Sequence, residues 1–106
     1  MIRNLVDIVN EIKHEEFIFS RHAYIRSIER YITIDEIIES TNNIEIIEEY
    51  PDDKYSPTCL LLGFTKNNRP IHIQITLDSS NIMKIITLYE PDSNNWENNC
   101  KTRIKL

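Results

Sequence analysis

Glycine occurs once in the 106 residues, at position 63. A glycine-rich phosphate loop or dinucleotide fingerprint is therefore excluded, since such loops need several residues without a Cβ to bring backbone amides against phosphate. A stand-alone metabolic enzyme has little basis in this chain. Cysteine is almost as scarce. Cys59 sits in an apolar run and Cys100 in a polar tail, so the pair has neither a disulfide framework nor metal-ligand spacing and reads as reduced thiols. Long apolar stretches are missing too, because Cys59-Leu60-Leu61-Leu62 falls far short of the roughly 20 residues that a bilayer requires. Residues 1 to 15 alternate charged and apolar groups and lack the basic start and unbroken apolar stretch of a secretory signal. No membrane association and a cytoplasmic location are expected. Positive charge is in deficit, with a net charge of -5. That balance argues against a protein whose whole surface grips nucleic acid, which relies on Lys and Arg to displace counterions.

What the chain has in quantity is isoleucine and asparagine, a bias that points to an AT-rich bacterial genome. Hydrophobic residues make up 41% and charged residues 27%, the balance of a soluble globular protein. This length supports one core, so residues 1 to 106 read as a single domain. The charge is unevenly spread. Residues 15 to 53 hold eleven acidic and three basic side chains, and those three are Arg21, Arg26 and Arg30. Residues 54 to 106 hold seven basic and four acidic ones.

Residues 3 to 14 place Leu5, Ile8, Val9 and Ile12 at helical spacing. Phe17, Ile18 and Phe19 form a short extended link. Ser20 then caps a second helix to about Tyr31, whose expected buried stripe is Ile25, Ile28 and Ile32. A third helix opens with a capping box from Thr33 to Glu36 and buries Ile34, Ile37 and Ile38 before stopping at Thr41-Asn42-Asn43. From residue 44 the period changes to two. Strands are expected at 44 to 50, 58 to 64, 71 to 77 and 82 to 89. Hairpins at Lys66-Asn67-Asn68-Arg69 and Asp78-Ser79-Ser80-Asn81 make neighbouring strands antiparallel. The predicted fold class is α+β, with helices over about 3 to 42, a four-stranded antiparallel sheet over 44 to 90, and a C-terminal tail over 91 to 106. His72, Gln74 and Thr76 alternate with Ile71, Ile73 and Ile75, so one sheet face is expected to be wet. The last strand, with Ile85 and Ile86 adjacent, reads as central.

His22, Arg26 and Arg30 recur every fourth residue and form one row on the second helix. The row is set off from the expected stripe and so borders a groove. His22 lies near the helix start, whose partial positive charge favours the neutral imidazole. A neutral imidazole beside two guanidinium groups suits metal-independent phosphodiester cleavage, in which a base takes the ribose 2′ proton and Arg stabilises the phosphorane. His72 on the wet face is a candidate acid partner. Tyr89, with Glu90 beside it, ends the last strand where Pro91 breaks the ladder, and is a candidate for orienting phosphate or hydroxyl. Lys54 and Arg69, in loops, are candidate RNA contacts. Glu45, Glu48, Glu49, Asp52 and Asp53 read as an acidic surface rather than a metal site, and no metal or cofactor is expected.

The segments Phe19-Ser20-Arg21-His22-Ala23, Ile46-Ile47-Glu48-Glu49-Tyr50-Pro51-Asp52-Asp53 and Cys59-Leu60-Leu61-Leu62-Gly63 carry a resemblance. Arg69-Pro70-Ile71-His72-Ile73 and Ile86-Thr87-Leu88-Tyr89-Glu90-Pro91-Asp92 continue it. In order, they resemble the small bacterial domain-of-unknown-function family numbered 4258, over about residues 17 to 97. That family is similar to toxins of the RelE-like and barnase-like ribonuclease fold group, which pack N-terminal helices on a four-stranded antiparallel sheet. The resemblance implies an endoribonuclease toxin with RNA as substrate and a cognate antitoxin as partner. It carries His22, Arg26 and Arg30 as the helix motif and His72, Tyr89 and Glu90 as strand motifs. The alternative expectation is a non-catalytic module whose acidic surface, Glu36 to Asp53, holds a basic protein partner.

Overall fold

The computed structural model describes residues 1–105. Asn4 opens helix α1 (Leu5–Lys13) with a capping box to Asp7, and Ile8 and Ile12 are its fully buried residues. Strand β1 (Phe17–Phe19) follows. Helix α2 (Arg21–Glu29) is capped by Ser20. Helix α3 (Ile34–Ser40) is capped by the Thr33–Glu36 box and ends in a 3-10 turn, Thr41–Asn43. Strands β2 (Glu45–Tyr50), β3 (Thr58–Phe64), β4 (Pro70–Thr76) and β5 (Met83–Tyr89) come next. A small hairpin of β6 (Trp96–Glu97) and β7 (Thr102–Arg103) closes the described chain.

The architecture is α+β, but the main sheet has five strands in the order β1-β5-β4-β3-β2. The expected four-stranded antiparallel sheet is corrected by Phe17–Phe19. Instead of a link, this segment pairs in parallel with Met83–Ile85. Its addition makes β5 an interior strand, as the apolar run around Ile85 and Ile86 indicates. The β3–β4 hairpin turns at Asn68, which takes φ 62, a conformation asparagine tolerates better than most residues.

One face of the sheet carries Cys59, Leu61, Ile71, Ile73, Ile75, Met83, Ile85 and Leu88, which form the core with Ile8, Ile12 and Ile37 of the helices. The opposite face is only partly wet. His72, Leu60 and Leu62 point to it yet are buried, because the β6–β7 hairpin lies across them. Trp96 packs edge-on to His72 at 4.4 Å, and Lys101 and Arg103 reach Glu45 and Glu48, each at 3.0 Å.

The face that α2 buries also differs from expectation. Ala23 and Ser27 are its buried residues, whereas Ile25 and Ile28 are exposed and only Ile32, beyond the helix, is buried. The cause lies at the edge of β5. β1 covers only Met83–Ile85, so the later carbonyls of that edge need other donors. Ser20 Oγ donates to the Ile86 carbonyl at 3.0 Å, and Arg30 Nη1 to the Leu88 carbonyl at 2.7 Å. These two anchors hold α2 along the open edge, and small Ala23 and Ser27 permit the close approach.

Candidate active site

Two β-bulges decide which side chains meet on the outer sheet face. Along β5, Met83 and Ile85 point into the core, and strict alternation would send Thr87 and Tyr89 the same way. The register shifts at Ile86, between the pairs Gln74↔Thr87 and Ile75↔Ile85. Leu88 therefore faces the core, and Tyr89 emerges on the outer face opposite His72. In β2 the register shifts at Ile47 and places Glu48 beside Leu60 on that same face. Re-aiming a side chain is what a single extra residue does in an antiparallel pair.

The His72 ring is fully buried. Its Nε2 lies 2.8 Å from the Cys100 carbonyl, which only accepts, so Nε2 carries the proton. Nδ1 of the neutral ring then accepts from the Tyr89 hydroxyl at 3.3 Å. Burial holds His72 below its ordinary 6.5, against the raising effects of the Cys100 hydrogen bond and Glu48. Burial likewise raises Tyr89 above its ordinary 10, while the Arg103 and Arg30 charges oppose the rise. Next to this pair, Tyr50 donates to Glu48, and Arg103 binds Glu48 at 3.0 Å while stacking on Trp96 at 4.6 Å. Burial and then the Glu48 carboxylate push Tyr50 up to about 12. Burial acts to raise Glu48, yet its bonds to Arg103 and Tyr50 hold it below 4.5. Among the described residues no three His, Cys, Asp or Glu side chains gather where they would hold a metal.

Tyr89 opens onto a cleft of about 450 Å³ whose lining includes Arg30, Arg69, Glu90 and Trp96. Three of the five expected catalytic residues thus come together: Arg30, Tyr89 and, through the tyrosine, His72. The other two do not join them. His22 is exposed and makes no side-chain hydrogen bond among the described residues, and it sits about 12 Å along the helix from Arg30. Arg26 pairs with Glu29 at 2.7 Å. Arg69 reaches the cleft, but as a structural clamp. It binds Glu36 at 3.1 Å and Glu90 at 2.8 Å, and donates to the carbonyls of Arg30 and Tyr31. Lys54 lies in the loop between β2 and β3, over the Tyr55 ring, at the opposite end of the sheet from Tyr89.

Sequence reasoning missed Trp96, Arg103 and the Cys100 carbonyl, all from what reads as a polar tail. The one available signal was Trp96, the single tryptophan of the chain. The acidic surface is also less open than its composition suggests, since Glu36, Glu45 and Glu48 are each bound by a basic side chain of the same molecule.

Residues 19–90 match the family model described as a domain of unknown function, DUF4258. The chain belongs to the DUF4258 family. The DUF4258 segment includes α2, both bulges, His72 and Tyr89, whereas Trp96, Cys100 and Arg103 lie beyond it. No curated protein and no solved structure matches the chain.

Proposed function

We propose that this protein is a metal-independent endoribonuclease, the toxin of a bacterial toxin–antitoxin pair, and that it cuts RNA at the cleft where Tyr89 and Arg30 meet. The observation that carries this reading is Tyr89, whose hydroxyl binds buried His72 and which lines a cleft together with Arg30. A ribose 2′-hydroxyl seated at Tyr89 passes its proton to the tyrosine oxygen as Tyr89 passes its own to His72 Nδ1. The 2′-oxygen then attacks phosphorus, and the 5′-oxygen leaves with a proton from water. Arg30 keeps N–H donors beyond the one given to Leu88, and these stabilise the charge that develops on the phosphorane. The low proton affinity of buried His72 keeps it a base near pH 7. RelE-like and barnase-like ribonucleases, which this family resembles, work on the same linkage.

Incubating purified protein with RNA in excess chelator tests the reading. The wild type cleaves, and Tyr89→Phe slows cleavage by about 100-fold or more, the range for loss of one acid–base group. His22→Ala leaves the rate within about threefold, because His22 stands off the cleft. Equal rates for wild type and Tyr89→Phe contradict the assignment.

A further inference from the structure

Between the buried Met83, Ile85 and Leu88, strand β5 turns Lys84, Ile86, Thr87 and Tyr89 to the outer face of the sheet. Tyr89 ends this row at the cleft. At its other end, about 17 Å away at about 3.4 Å per residue, Lys84 and Ile86 line the floor of a groove of about 580 Å³. One wall is the loop between β2 and β3, with Asp53 and Tyr55, and the other is the loop between β4 and β5, with Asp78 and Ile82. No residue of the β6–β7 hairpin lines this groove.

We propose that the groove seats a nucleotide flanking the one cut at Tyr89, so that a single RNA strand lies along the outer face of β5. This rests on the reading of the Tyr89 cleft as the cleavage site. Single strands are held by cations that follow the phosphates and by aromatic rings on which bases stack, and the groove has both. Lys84 is exposed and, among the described residues, forms no ion pair. The Tyr55 ring is 89% exposed, and Lys54 lies over it at 5.2 Å. A cation on one ring face leaves the other face for a base. Ile18 and Ile82, 43% and 55% exposed, add apolar surface that suits a base and not a charged group. The two carboxylates set the direction of the strand. Asp53 and Asp78 repel phosphate from both walls, which places the backbone over β5 at Lys84 and turns the base toward Tyr55. Each carboxylate is already held by its own chain, Asp53 by Thr58 at 2.8 Å and Asp78 by Ser80 at 2.7 Å.

The probe is a fluorescent 2′-O-methyl RNA strand of about ten nucleotides, which has no free 2′-hydroxyl to attack and is therefore bound without being cut. Its affinity, read by fluorescence anisotropy, falls at least about fivefold with Tyr55→Ala, the low end for losing one stacked base. Lys84→Ala lowers the affinity and reduces the slope of log affinity against log salt by about 0.7, the value of one phosphate contact on a single strand. Lys84→Arg retains the wild-type slope. Both side chains are exposed, so the circular dichroism spectrum is unchanged in all three variants. A wild type that binds through Tyr55 and Lys84 but leaves unmodified RNA intact refutes cleavage at Tyr89 and supports the groove as a strand-binding site. A wild type that cuts RNA, with affinity and salt slope for the probe unchanged by Tyr55→Ala and Lys84→Ala, overturns the groove and spares the cleavage reading. A probe that does not bind the wild type overturns the groove as well.

Discussion

Gly63 has helix α3 ending directly above it. A Cβ at this position would lie 2.6 Å from Ser40 Cβ and 2.7 Å from the Ser40 carbonyl oxygen, and both neighbours are held by the turn that closes the helix. Gly63→Ala should lower stability by about 1–3 kcal/mol, the cost of overpacking a tight contact, and urea unfolding measures it. His72 makes a second prediction, in pH. Burial depresses its folded-state proton affinity below the ordinary 6.5, so well above pH 6.5 the ring is neutral in both states. As pH falls below 6.5 the unfolded chain takes up the proton first, and stability drops until the folded ring also titrates. Thermal unfolding between pH 7 and pH 5 should show this loss, and His72→Gln should flatten the slope across that window. The helical row was legible as spacing, but spacing does not reveal partners. Arg30 serves a strand edge, Arg26 serves Glu29, and His22 serves neither.

Among the elements, the caps were the most legible features, because Ser20 and the Thr33–Glu36 box act through local chain geometry alone. β1 was not legible. Three residues are too few for a period, and their partner lies over sixty positions away. The rotation of α2 escaped for a related reason. Periodicity weights isoleucine, whereas the face that packs is chosen by small Ala23 and Ser27 and by donors for β5 carbonyls. The adjacent Ile85 and Ile86, read as a mark of a central strand, also mark the bulge that brings Tyr89 to His72. The C-terminal hairpin shows which of its contacts hold it down. Trp96 is buried against His72, whereas Arg103 is largely exposed in its pair with Glu48. Trp96→Ala should therefore cost about 2–4 kcal/mol, in the range for losing a packed aromatic. Arg103→Ala should cost under about 1 kcal/mol, as exposed ion pairs do. Chemical denaturation of the two variants side by side checks the ordering.

For the molecule as a whole, family membership follows from residues 19–90, and the passage from α3 to the strands β2–β5 was readable from the change of hydrophobic period at residue 44. The assembled site was not, because it joins a bulged strand, the C-terminal cap of α2 and a hairpin beyond residue 90. On the outer sheet face a buried neutral imidazole, a tyrosine hydroxyl and an open guanidinium are brought together by those elements. In the proposed reaction this group directs a ribose 2′-hydroxyl onto its own phosphate. Mass spectrometry of the ends left on a defined RNA, after incubation with the protein in excess chelator, reads this step out. Fragments ending in 2′,3′-cyclic phosphate with 5′-hydroxyl partners are expected from the wild type and are lost with Tyr89→Phe. Intact RNA, or fragments with 3′-hydroxyl and 5′-phosphate ends, would contradict it.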